Sequence, residues 1–326
     1  MILAGDIGGT NTRLGLFKRS EKELHLVYEK KQASSCWQDP VDLLHEFLKD
    51  AGIQPKEIET GCLSLAGPIG ENFCHLTNLN RAIDLEYIRK SLNIKIPLHF
   101  CNDLMALGYG LPTLNSSQLY CLASGKKMQC GSDPASLNRA ILAPGTGLGE
   151  SLIIDSDSVI PSEGAHADFA PRSELEVRLW RFLHQELGHV SNERILSGPG
   201  LINLYHFFLS EDEANHKASP LPTPQKITKK AINKSCPYCQ SALDLFLEIL
   251  GAEAGNLALR SLAYGGIYLG GGIVPKLLPQ LRESSFLKAF YDKGRFHELL
   301  SSIPVYVILE EQTALYGAAR YALLTS

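Results

Sequence analysis

Apolar residues recur along this chain with two periods, steps of two that mark strands and steps of three or four that mark helices. Ile2, Leu3 and Ala4 form a short buried run, and after the turn at Gly8-Gly9 residues Thr12, Leu14 and Leu16 alternate against Arg13, Gly15 and Phe17. The two glycines can supply the positive φ of a tight turn. Residues 24–28 continue as a third strand, and 41–49 carry apolar positions at helical spacing. Residues 59–66 predict a buried strand ending at Gly67-Pro68. A further strand is expected over 94–102, alternating at Ile94, Ile96, Leu98 and Phe100, with Pro97 pointing to an exposed side or an edge. Residues 139–154 then repeat the opening theme of strand, glycine turn and strand, now around Gly145-Thr146-Gly147. Two such hairpins suggest a duplicated architecture with one glycine loop in each half.

Helical periodicity dominates the later chain. It is present over 174–186, over 201–208 after Gly198-Pro199-Gly200, and over the long stretch 242–263 with its internal Gly251 and Gly255. Polar or proline-bearing segments at 124–138 and 214–225, the latter with Pro220, Pro222 and Pro224, read as loops. Residues 266–269 predict a strand that Gly270-Gly271-Gly272 turns into a helix at 273–276. A strand over 305–309 and a helix over 313–324 close the chain.

Composition narrows the class. The 326 residues are 44% hydrophobic and 20% charged, ordinary for a globular protein and long enough for two domains. The net charge of −4 and the lack of a Lys/Arg cluster interleaved with aromatics argue against nucleic acid. No run approaches the ~20 apolar residues of a membrane span and the N-terminus has no signal-like segment, so a cytoplasmic protein is expected. Eight cysteines are scattered along the chain: Cys36, Cys62, Cys74, Cys101, Cys121, Cys130, Cys236 and Cys239. Only Cys236-Pro-Tyr-Cys239 has ligand spacing, and with no second pair it is half a zinc site, read instead as a reduced structural pair.

The first glycine loop carries candidate chemistry. Asp6 stands just ahead of Gly8, Gly9, Thr10 and Asn11, so backbone N–H groups and the Thr10 hydroxyl can face a phosphate while Asp6 holds a metal through water. The alternative is an ordinary hairpin with a solvated aspartate. Neither the Gly-x-Gly-x-x-Gly of dinucleotide folds nor the Gly-x-x-x-x-Gly-Lys-Ser/Thr of P-loop proteins fits this chain.

Five segments, in order, carry a resemblance that covers nearly the whole chain. They are Gly5-Asp6-Ile-Gly-Gly-Thr10-Asn11, Cys101-Asn102-Asp103, Ala143-Pro-Gly145-Thr146-Gly147-Leu-Gly149, Glu163-Gly-Ala-His166-Ala-Asp-Phe-Ala-Pro171 with Ser191-Asn-Glu193-Arg-Ile-Leu-Ser-Gly198, and Leu269-Gly-Gly-Gly272-Ile-Val-Pro275. Together they resemble the bacterial glucokinases of the hexokinase, heat-shock-ATPase and actin superfamily. The Cys-rich zinc motif of the other large group of bacterial sugar kinases is missing. The resemblance implies an α/β protein with the two-domain actin-like (ribonuclease H-like) fold, its mixed sheets flanked by helices around an interdomain cleft. The expected division is a small domain of 1–112 plus 304–326 and a large one of 113–303.

It also implies ATP-dependent phosphorylation of D-glucose at the 6-hydroxyl, with Asp103 as general base and Asn102, Glu163, His166 and Glu193 clasping the sugar. Read without the resemblance, Asp103 is a helix N-cap, His166 a satisfied core histidine, and Glu163 and Glu193 solvated surface. The same resemblance gives Gly145, Thr146 and Gly147 to the ATP phosphates and Gly270, Gly271 and Gly272 to the adenosine, with Mg²⁺ accompanying the phosphates and contacting Asp6 indirectly. Ala165 departs from the family, which usually has a second glycine there, and would be strained if that position needs positive φ. A homodimer is expected. Rival readings are a kinase for mannose, fructose or an N-acetylated amino sugar, a sugar-responsive regulator and a chaperone-like ATPase; the last two should carry an extra DNA-reading or peptide-binding segment.

Overall fold

The computed structural model describes residues 1–20, 23–67, 70, 72–76, 81–126, 137–154, 158–212 and 221–326. Pro68, Cys130 and Pro220, and most of the expected loops over 124–138 and 214–225, lie outside them. The chain divides into two compact units, Met1–Gln118 with Glu310–Ser326, and Leu119–Leu309. Among the described residues no helix is long and apolar enough to cross a membrane.

The first unit is built on β1 (Ile2–Ile7), β2 (Asn11–Arg19), β3 (Leu24–Ala33), β4 (Thr60–Leu65) and β7 (Leu98–Asn102), in the order β3-β2-β1-β4-β7. β1 and β2 form the expected antiparallel hairpin, with Ile2 opposite Phe17 and Asp6 opposite Arg13. β4 lies parallel to β1 and β7 parallel to β4. β4 is buried along its whole length, as a strand covered on both faces must be, so its sequence is a near-continuous small and apolar run. Pro97 stands just ahead of β7 at the sheet edge, so the strand expected from residue 94 begins at Leu98. α1 (Pro40–Asp50) is capped by Asp39, whose carboxylate accepts from Val41 N–H at 2.7 Å, and buries Leu43, Leu44, Phe47 and Leu48. A small hairpin, β5 (Phe73–Leu76) with β6 (Arg81–Asp84), leads into α2 (Leu85–Ser91), and α3 (Asp103–Gly110) follows β7 directly.

The second unit holds β8 (Leu119–Ala123), β9 (Arg139–Pro144), β10 (Leu148–Ile154), β11 (Ser158–Ser162), β12 (Gly266–Leu269) and β13 (Val305–Ile308), in the order β11-β10-β9-β12-β13-β8. Omitting β8, the sheet repeats the first: an antiparallel trio, then two parallel strands. Its helices are α4 (Glu174–Leu187), α5 (Gly198–Ser210), α6 (Pro224–Ile232), α7 (Pro237–Ser261), α8 (Leu278–Glu283), α9 (Phe286–Tyr291) and α10 (His297–Ser302). α7 is the central helix and is apolar around most of its surface, with Leu243, Phe246, Leu250, Ala254 and Leu257 among its buried residues.

The chain re-enters the first unit at Glu310 and ends in α11 (Thr313–Leu324), which packs on α3, β1 and β4 through Leu315, Ala318, Ala319 and Ala322. This corrects the expected boundary near 304. β13 pairs with β12 and β8, so residues 305–308 belong to the second unit, and 113–118 stay with the first.

Candidate functional site

In the first unit the loop 8–10 joins β1 to β2. The turn closes without positive φ at Gly8 or Gly9, contrary to the expectation, by a bond from Gly8 N–H to Asn11 O at 3.0 Å. A buried polar staple fixes it from behind. Ser34 Oγ donates to Gly8 O at 2.7 Å, Ser34 N–H donates to Thr10 O at 2.9 Å, and Trp37 Nε1–H donates to Thr12 Oγ1 at 2.9 Å. These bonds satisfy the loop's inward groups and leave Thr10 and Asn11 exposed. Neither Ser34 nor Trp37 was legible as part of the loop, because they reach it from beyond β3.

Asp6 is half-buried on β1, in register with Arg13 of β2 and Ser64 of β4. Burial pushes its carboxyl up to about 6, against the opposing pull of Arg13 and Lys31. Those two cations are engaged elsewhere: Arg13 pairs with Glu29 at 2.8 Å and Glu311 at 3.0 Å, and Lys31 with Glu311 at 2.9 Å. No group of three or more His, Cys, Asp or Glu side chains able to hold a metal ion occurs among the described residues. A carboxylate of this kind suits a cation that keeps most of its ligands as water and phosphate.

At the end of β7 the cap of α3 is Asn102, not Asp103. Asn102 Oδ1 accepts from Leu104 N–H at 2.8 Å and from Met105 N–H at 3.4 Å. Asp103 is the first helical residue, half-buried, and its Oδ1 accepts from Leu104 N–H at 2.9 Å. The helix N-terminus favours its negative charge. Capping therefore does not account for Asp103.

The second unit gathers the remaining candidates. β9 ends at Pro144, and the Gly145-Thr146-Gly147 turn closes through Gly145 N–H to Gly147 O at 2.7 Å. Gly198 N–H, at the start of α5, donates to Gly145 O at 2.9 Å. The triple glycine follows the neighbouring strand β12. There Gly271 has φ +78°, and a Cβ on it would stand 2.5 Å from Pro144 O, so only glycine fits. A Cβ on Gly272 meets open space.

Glu193 sits on the short 3-10 turn Asn192–Arg194 and reaches this loop, its Oε2 accepting from Leu148 N–H at 3.0 Å. It occupies the space a side chain at Gly147 would need: a Cβ there would lie 2.5 Å from Oε2. Gly147, read as a phosphate contact, is thus also the seat of the Glu193 carboxylate. His166 lies between two carboxylates, Nδ1 3.9 Å from Glu193 Oε1 and Nε2 3.7 Å from Glu163 Oε2. These separations exceed hydrogen-bond length, so the imidazole nitrogens, Glu163 Oε2 and Glu193 Oε1 keep capacity to bond a polyhydroxyl ligand while Glu193 Oε2 stays on Leu148 N–H. The imidazole is half exposed, which is not the setting of a core histidine. Ala165 lies in the 3-10 turn Gly164–His166 without positive φ and is buried, so the departure from glycine carries no backbone strain.

One buried carboxyl was not anticipated. Glu150 on β10 is 1% exposed, and its Oε1 has no hydrogen-bond partner among the described residues. Burial first, and then the Glu253 charge, push it up to about 7, with Arg260 opposing. A glutamate within a buried strand run is the signal that marks it.

Asn102, Asp103 and the first loop thus lie in one unit, and Glu163, His166, Glu193 and the two later glycine segments in the other.

A family model described as Glucokinase matches residues 3–325. The chain belongs to the glucokinase family. A glucokinase of a Nostoc species is 40% identical over 342 aligned residues, covering 98% of each chain. The crystal structure of a glucokinase from an Antarctic psychrotroph superposes with a TM-score of 0.83 at 30% identity, covering 99% of this chain and 98% of that one. The glucokinase of Balamuthia mandrillaris, solved in complex with glucose, gives 0.75 at 26% identity, with 99% and 93% covered. Glucokinase-family membership and the actin-like fold of two α/β units with mixed sheets therefore stand as the resemblance implied.

Proposed function

We propose that this chain transfers the γ-phosphoryl group of ATP to the 6-hydroxyl of D-glucose, giving glucose 6-phosphate, ADP and a proton. The observation that carries this reading is the full-length family match together with the carboxylate–imidazole–carboxylate group of Glu163, His166 and Glu193. Each hexose hydroxyl is both donor and acceptor, and such side chains, with the Asn102 amide, pair with hydroxyls more selectively than apolar groups can.

Asp103 takes the role of general base toward the 6-hydroxyl. Its carboxylate needs no unusual basicity, because the transition state of phosphoryl transfer is loose and the base chiefly orients the oxygen and accepts its proton late. The N–H groups and side chains of Gly8, Gly9, Thr10 and Asn11, with Gly145, Thr146 and Gly147, take the phosphates, and Gly270, Gly271 and Gly272 lie against the adenosine. Asp6 would hold Mg²⁺ through water, and the ion would supply charge neutralisation at the phosphates. A homodimer in the cytoplasm is the corresponding quaternary and cellular setting; the seven described cysteines are all free thiols, as a reducing compartment requires.

A coupled assay of ADP release with glucose, mannose, fructose and N-acetylglucosamine tests the reading. Glucose should give the highest kcat/KM, with turnover lost on chelating Mg²⁺. Preferred turnover of another sugar would move the substrate within the class, and ATP hydrolysis indifferent to sugar would overturn the kinase reading.

A further inference from the structure

The cysteine pair left aside by the phosphoryl-transfer chemistry has the arrangement of a redox couple. Cys236 is the N-cap of α7, a helix of 25 residues, and its Sγ accepts from Cys239 N–H at 3.4 Å. This places the Cys236 sulfur over the first helical turn, against the backbone N–H of Cys239. An anionic sulfur there meets a backbone donor and the positive end of a long helix dipole.

The two thiols differ in access. Cys236 is partly exposed, whereas Cys239 is wholly buried. Burial pushes the Cys239 thiol up to about 12, and the Lys230 charge on α6 works in the opposite direction. A zinc role finds no support, since no group of three His, Cys, Asp or Glu ligands gathers here or elsewhere among the described residues.

We propose that Cys236 and Cys239 form a reversible dithiol–disulfide couple that exchanges with low-molecular-weight disulfides. The Cys236 thiolate attacks one sulfur of the external disulfide, forming a mixed disulfide and expelling one thiolate. Cys239 then loses its proton and attacks the Cys236 sulfur, expelling the second thiolate and closing the intrachain bond. Two protein thiols are oxidised and one external disulfide is reduced to two thiols. The exposed member is the nucleophile and the buried one resolves. Cys36 and Cys121, also exposed, are not at Cys-x-x-Cys spacing and serve as internal comparators.

The test equilibrates the full chain in glutathione buffers of increasing oxidised fraction, quenches with an alkylating reagent and maps the cysteines by mass spectrometry. The expected result is joint loss of alkylation at Cys236 and Cys239 with an intrachain disulfide between them, reversed by reduced glutathione, while Cys36 and Cys121 give only mixed disulfides. In Cys239→Ser the mixed disulfide with glutathione should accumulate at Cys236. If both thiols remain alkylatable under oxidising conditions that modify Cys36, the couple does not exist. If Cys239→Ser accumulates no adduct at Cys236 while near-UV circular dichroism shows it folded, the assignment of the nucleophile is overturned.

Discussion

Replacing Gly147 with alanine should weaken glucose binding more than it disturbs the fold. Neither Gly147 nor Gly145 has positive φ, so alanine costs no backbone strain at either position. The added Cβ at 147 would stand 2.5 Å from Glu193 Oε2 and 3.4 Å from its Cδ. The obstacle is the end of a side chain, so the carboxylate gives way and leaves the Leu148 N–H that orients it. Glucose would then lose one charge-assisted hydrogen bond, about 1.5–3 kcal/mol, or roughly 10- to 150-fold in Kd. Gly145→Ala supplies the control, since a Cβ there meets nothing nearer than Gly147 O at 4.0 Å. Calorimetric titration with glucose in the absence of nucleotide should show the loss for Gly147→Ala and near-native affinity for Gly145→Ala. Unchanged Kd in Gly147→Ala, or equal loss in both variants, would refute the proposed seating of Glu193 as a sugar contact.

Asp103→Asn should lower kcat by about 10²–10⁴ while the unfolding midpoint stays near that of the parent, because the amide cannot take a proton and Asn102 keeps the α3 cap; near-normal kcat would remove Asp103 from the base role. Glu150→Gln should alter the pH dependence of stability. The native carboxyl holds its proton up to about 7 against an ordinary 4.5, so its contribution is fully present below pH 4.5 and is lost as pH rises through 7. Urea unfolding should therefore find the variant more stable than the parent at pH 8, by on the order of 3 kcal/mol, and close to it at pH 4; the same difference at both pH values would contradict this. Gly317→Ala, on α11, would put a Cβ 1.7 Å from Ala106 O on α3, where only backbone can yield. It should cost about 1–3 kcal/mol or more in urea unfolding, and an unchanged midpoint would show that the helices do not cross that closely.

Local pattern determined much of this protein. The β1–β2 hairpin, the all-buried β4, the helix over 313–324 and the second glycine hairpin were legible because each is encoded by neighbours in sequence, in apolar spacing and turn residues. The motifs carrying the family resemblance were legible for the same reason. Long-range pairing decided the rest. Residues 305–308 read as a strand, but only hydrogen bonding to β12 and β8 assigns them to the second sheet. Asn102 and Asp103 are both fit to cap, and the backbone entering α3 selects Asn102. The glycines of the first loop look like positive-φ residues, yet Ser34 and Trp37, reaching in from beyond β3, hold that loop without it. Gly147 is an ordinary turn glycine until Glu193, brought from a distant 3-10 turn, fills the space its missing side chain leaves. Spacing encodes which residues share an element, whereas which elements meet is fixed by burial and hydrogen-bond satisfaction summed over the whole fold.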